Sequence, residues 1–148
     1  MAYIKWQNRG CMGNKEDLKL LCYLKTDLYS CITAEIATDK VVLTNKAVLH
    51  ILDHHPEAYN EVLIELKQAI LEPDYIIKDE KHLNTGLVIK EIASDSIEKE
   101  HAFIVLKICT DTKNNQRSNS IISGWKISNK RLKSYLRNKT VLYKKDFF

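Results

Sequence analysis

At 148 residues, with 45% hydrophobic and 28% charged side chains, the chain is long enough to bury a core of its own and too apolar for wholesale disorder. The opening MAYIKW runs straight into polar residues, and no apolar run approaches the roughly 18 residues of a membrane span, so a cytoplasmic protein with no membrane contact is expected. The net charge of +4 is modest but lopsided: residues 53–100 are acid-rich, whereas from Arg117 onward Lys126, Lys130, Arg131, Lys133, Arg137, Lys139, Lys144 and Lys145 face only Asp146. Such a cluster suits a surface that follows phosphates, or simply a solvated basic helix.

Residues 1–38 read as an N-terminal arm and a hairpin packed on the core. Asn8, Gly10, Gly13 and Asn14 punctuate the arm and leave no period. Residues 18–32 are rich in Leu, Tyr and Cys, and the break at Lys25, Thr26 and Asp27 predicts two strands around a turn. Residues 40–43, KVVL, are β-branched and short, which predicts a strand ending where Thr44 or Asn45 caps a helix.

That helix, residues 44–55, carries three of the five histidines and is stopped by Pro56. At about 100° per residue, Ala47, Val48, Ile51, Leu52 and His55 share one broad face, and His50 and His54 stack one turn apart along its edge. An imidazole titrates near neutral pH, so this edge can supply a general acid or base, and each ring can equally be a hydrogen-bonded structural side chain. Histidines at i and i+4 can also grip a metal ion. Here the Glu of HExxH is missing, and no Cys or carboxylate pair lies at a ligand spacing, so no metal is expected.

After Pro56, a helix over residues 57–71 places Tyr59, Val62, Leu63, Leu66 and Ile70 on one face and is closed by Pro73. Strands follow at 74–78 and at 87–92, the latter reached through Asn84, Thr85 and Gly86. A strand over 101–109 sets Ala102, Ile104, Leu106 and Ile108 on a core face, with Phe103, Val105 and Lys107 opposite. A polar loop, 111–119, contributes Arg117. In the last strand, 120–127, Ile121, Ser123, Trp125 and Ile127 take one side, and Ile122 and Lys126 the other. Ser128 or Asn129 caps a final helix with Leu132, Tyr135 and Leu136 inward and Lys130, Lys133 and Arg137 outward. Helices, then an antiparallel meander of about four or five strands, then a basic helix make an α+β fold, a single globular domain whose main α+β part spans residues 39–148.

With four glycines, neither a P-loop nor a dinucleotide fingerprint can be written, and there is no GxSxG elbow around Ser123. Paired carboxylates of a two-metal nuclease are missing from the strands. Cys11, Cys22, Cys31 and Cys109 form no CxxC pair, and reduced structural thiols are expected. No cofactor is called for. A His-bearing helix, Lys and Ser on sheet positions and a basic C-terminus suit metal-free RNA cleavage.

The runs VVLTNKAVLHILDHHPEAY, ILEPDYII, HAFIVLKI and NSIISGWKISNKRLKSYLRNKTVLYKKD, in that order, resemble the phage-associated nucleases of the barnase/EndoU/colicin/RelE group over residues 39–146. The resemblance implies helices packed on a curved antiparallel sheet and a metal-independent endoribonuclease. The family's helix pattern falls on His50, Ile51, His55 and Pro56, and its strand hydroxyl on Ser123, where relatives would carry Thr. Helical geometry favours His54 as partner of His50 and the resemblance favours His55, and both stay open. In the mechanism so implied, His50 takes the 2′-hydroxyl proton and His54 or His55 protonates the departing 5′-oxygen. Lys90, Lys107 or Lys126 stabilises phosphoryl charge with a hydrogen bond from Ser123. Trp125 stacks a base or belongs to the core, and Arg117 with the Lys130, Lys133 and Arg137 stripe follows the RNA backbone. Two other readings remain: a nucleic-acid binder without catalysis that uses the basic helix alone, and a phage protein that blocks a host factor through its N-terminal arm. An immunity or antitoxin partner would accompany a toxic nuclease.

Overall fold

A computed structural model describes residues 19–54, 57, 59–93, 97–113 and 117–146. Among the described residues, seven strands form one mixed sheet: β1 Lys19–Tyr23, β2 Lys40–Leu43, β3 Tyr75–Lys78, β4 Thr85–Ile92, β5 Glu100–Lys107, β6 Asn119–Ser128 and β7 Val141–Lys144. A short α1, Thr26–Tyr29, is followed by α2 Asn45–His54, α3 Tyr59–Leu71 and α4 Asn129–Asn138. No described helix is long and apolar enough to cross a membrane. The strand order is β1-β2-β6-β5-β4-β3-β7. The centre, β3 to β6, is the antiparallel meander expected from the sequence. The α+β class stands, with more strands than four or five.

The additions have identifiable causes. Residues 18–32 do not make a hairpin: β1 pairs antiparallel with β2, and the polar break at Lys25 to Asp27 opens a turn of helix instead. β2 joins β6 in parallel, and β7 returns after α4 to pair with β3, so the sheet is mixed rather than purely antiparallel. The β3–β4 turn closes as predicted, with Asn84 in the left-handed region at φ 56°, where Asn is among the few side chains tolerated. The predicted arm, up to about residue 16, lies outside the described residues.

Both faces of the sheet are covered. Ala47, Val48 and Ile51 of α2 and Leu66, Ala69 and Ile70 of α3 pack against Ile76, Val88, Ile104, Leu106 and Ile121 on one face. On the other, Leu132 of α4 joins Ile77, Leu87, Ile89, Phe103 and Ile127, with Tyr135 and Leu136 half-buried beside them. Phe103 and Val105, opposite the first core face, floor a second core under the basic helix. This is why β4 is buried at five successive residues from its start instead of alternating.

Fully buried Tyr29 donates from its hydroxyl to the Ile70 carbonyl at 2.7 Å, satisfying an acceptor in the last turn of α3. Fully buried Asn119 holds three groups at once. Its Nδ2 donates to the Thr38 and Lys40 carbonyls at 2.8 and 2.9 Å, and its Oδ1 accepts the Cys109 N–H at 2.8 Å. The strand that leads into α2 is thereby fixed to β6.

Candidate functional site

The junction of β2 and α2 places the histidine edge. Thr44, rather than Asn45, is the cap: its Oγ1 accepts the Ala47 N–H at 3.1 Å and donates to the Ile121 carbonyl at 3.3 Å. The helix therefore starts against β6, and its next turns pass over Ile122 and Ser123. There β6 carries a bulge: Val105 pairs with Ser123 and Leu106 with Ile121, leaving Ile122 as the extra residue. The bulge inverts the alternation, so Ile121 packs under α2 and α3 while Ile127 packs under α4, although the sequence had placed both on one side.

Between α2 and β6 lies a cleft of about 650 Å³, lined by Lys46, Leu49, His50, Leu52, Asp53, Ile122 and Ser123. His50 and His54 stack as expected, ring centroids 4.4 Å apart with planes tilted by 51°. The Asp53 carboxylate is 3.7 Å from His54 Nε2; with the two side chains 56% and 80% exposed, solvent screens this pair. Lys46 was missed among the candidate cations. It stands one turn before His50 on the same projection that pairs His50 with His54, so the line Lys46, His50, His54 was legible. Leu52, on the broad face it shares with buried Ala47, Val48 and Ile51, is 41% exposed and lines the cleft. Its neighbour Leu49 and Ile122 make the rest of the apolar wall.

Of the expected residues, the structure brings His50 and Ser123 into one cleft with His54 beside them. His55 and the side chain of Trp125 lie outside the described part. Lys90 is half-buried on β4, 3.9 Å from Asp74 Oδ1. Lys107 lines a separate cleft of about 330 Å³ with Asn84, Asp111 and Ser120. Lys126 shares with Glu65 the lining of a small cavity of about 30 Å³ between α2, α3 and β6. The Arg117 guanidinium donates to the Thr112 carbonyl in its own loop at 2.7 Å. Lys130, Lys133 and Arg137 are exposed on α4, across the sheet from α2.

The remaining described histidines serve other sites. His101 is buried, with Nε2 3.1 Å from the Asn129 Oδ1 at the start of α4. His82 meets Asp79 at 3.0 Å in the β3–β4 turn. Partial burial works to raise the Asp79 carboxyl, but the Lys81 N–H and His82 outweigh it and hold the carboxyl below its usual value. Burial pushes the Cys22 thiol up to about 11 and raises Cys31 as well, which makes both poor nucleophiles. Among the described residues, no three His, Cys, Asp or Glu side chains gather around one metal position. The chain matches no family model, no curated protein and no solved structure in comparisons with each.

Proposed function

We propose that the α2–β6 cleft binds RNA and cleaves it by metal-independent transphosphorylation, as in the nuclease group the sequence resembles. The observation that carries this reading is the line of Lys46, His50 and His54 along one helix edge, above a cleft that also contains Ser123. Two imidazoles and one ammonium within a few ångströms of an open groove are the groups such a reaction needs. The 2′-oxygen forms a bond to phosphorus as its proton passes to His50, and the bond from phosphorus to the 5′-oxygen breaks as that oxygen takes a proton from the second imidazole. His54 fills the second role by its place beside His50, and His55 by the family pattern. Lys46 takes the charge-stabilising role first given to Lys90, Lys107 or Lys126, with Ser123 donating to a phosphoryl oxygen. Leu49, Leu52 and Ile122 supply an apolar wall for a ribose or base. The α4 stripe of Lys130, Lys133 and Arg137 sits on the other sheet face and holds a longer RNA rather than the scissile bond.

The test is cleavage of end-labelled RNA in excess EDTA by the wild type, His50→Ala and His54→Ala. Each positioned acid or base contributes roughly 10²- to 10⁴-fold, and a loss of that size in both variants is expected. Wild-type cleavage abolished by EDTA, or undiminished in both variants, would remove the reading. Salt-sensitive binding without any product would leave a nucleic-acid binder in its place.

A further inference from the structure

The two rings on α2 have a second capacity that RNA chemistry does not use. We propose that His50 and His54 together chelate a divalent transition ion of the Ni²⁺, Cu²⁺ or Zn²⁺ class, and that the bound ion closes the cleft to catalysis. The closure half rests on the proposed RNA cleavage; the chelation half does not.

Histidines at i and i+4 of a helix project from consecutive turns on one side. Here the backbone holds the pair on α2, and the ring centroids are already 4.4 Å apart. An ion bound to two ring nitrogens at the usual 2.0–2.1 Å would hold those nitrogens roughly 3–4 Å apart, a span these rings reach by side-chain rotation alone. Both side chains are exposed, which leaves the rings room to turn toward one ion. Asp53, 3.7 Å from His54, adds a negative charge that offsets the Lys46 ammonium one turn before His50. With no third described ligand gathered there, the site is an open chelate completed by water, which makes it exchangeable rather than structural.

The donor set fixes the class of ion. Imidazole nitrogens suit Zn²⁺, Cu²⁺ and Ni²⁺, whereas Mg²⁺ and Ca²⁺ require oxygen ligands. Affinity should climb from Co²⁺ through Ni²⁺ to Cu²⁺. A metal-bound ring has lent its lone pair to the ion, so it can neither accept the 2′-hydroxyl proton nor cycle to donate one. Inhibition by the ion and cleavage in EDTA are then two sides of one arrangement.

The experiment is calorimetric titration of the full chain, free of any histidine tag, with NiCl₂ and separately with MgCl₂. Wild type is compared with His50→Ala, His54→Ala and His82→Ala, the last an exposed histidine on a different turn. One Ni²⁺ per chain is expected, weakened about tenfold or more in each α2 variant, unchanged in His82→Ala, with no heat from Mg²⁺. Thermal melts of the metal-free variants, expected to match wild type because both rings are exposed, separate lost ligands from lost fold. Wild-type affinity in either α2 variant, or no Ni²⁺ binding up to roughly millimolar concentration, would overturn the chelate. In a parallel arm Ni²⁺ should suppress RNA cleavage and EDTA should restore it. Cleavage unaffected or stimulated by Ni²⁺ overturns the closure while the calorimetry still decides the chelate, and absence of cleavage in EDTA defeats the nuclease reading alone.

Discussion

Replacing Asn119 with Ala removes three hydrogen bonds at a fully buried position and leaves the Thr38 and Lys40 carbonyls and the Cys109 N–H without their partner. A group sealed from water and left without its partner costs roughly 1–3 kcal/mol; Thr38 and Cys109 are half-buried and Lys40 exposed, so water recovers part of this and the loss comes to about 3–5 kcal/mol. For a chain of this length, where each kcal/mol shifts the midpoint by roughly 2–4 °C, thermal melting should fall by about 6–20 °C. Urea unfolding with an unchanged slope and a lower midpoint would assign the effect to folded-state stability. Asn119→Asp sharpens the test, because it keeps the shape but turns the donor toward two carbonyls into a further acceptor. Burial and those carbonyls raise that carboxyl's folded pKa, so the variant should approach wild type in acid and lose stability as pH rises through the carboxylate range. A loss of under about 1 kcal/mol for Asn119→Ala would refute the view that this side chain fixes β2, and through it α2, against β6.

Four further outcomes follow from other contacts and charges. Tyr29→Phe orphans the Ile70 carbonyl at the end of α3 and should cost about 1–2 kcal/mol in urea unfolding, without change in the far-ultraviolet spectrum. Asp79→Asn should destabilise at neutral pH but not in strong acid. The Asp79 carboxyl is depressed in the folded state, so its stabilisation is present above the ordinary carboxylate value and lost as pH falls through the lowered one. If Lys46 meets one phosphate of single-stranded RNA, Lys46→Ala should reduce the slope of log affinity against log salt by about 0.7. A triple Lys130, Lys133 and Arg137→Gln variant should weaken binding while leaving the cleavage rate at saturating RNA intact.

What the sequence disclosed tracks where one period decided one surface. α2 and α3 were legible from apolar spacing of three and four, and β2 and the strands of the meander from short β-branched or alternating apolar runs between turn residues. The lateral order was not, because β2 pairs with β6 far along the chain, Val41 against Asn119, and nothing in KVVL names its partner. β7 offers four residues between lysines, too few for a pattern. The two-sided core under α4 was hidden for a different reason: when both faces of β4 and β5 are buried, alternation carries no sign of which side is wet. The bulge at Ile122 misdirected the reading of β6, since one extra residue exchanges the two faces downstream. At the site, the His50 and His54 pairing was readable from the helical projection. Ser123 reached the same cleft only through a strand contact that projection does not contain.

The central claim is that the histidine edge of α2 acts on a phosphodiester lying against β6. Its most direct measurement is single-turnover reaction, in EDTA, of an RNA oligonucleotide and its 2′-deoxy counterpart with wild type and His50→Ala. The RNA should yield a 2′,3′-cyclic phosphate, the deoxy strand should bind without giving product, and the rate for His50→Ala should be lower by roughly 10²-fold or more. Cleavage of the deoxy strand, or an undiminished rate for His50→Ala, would contradict the claim.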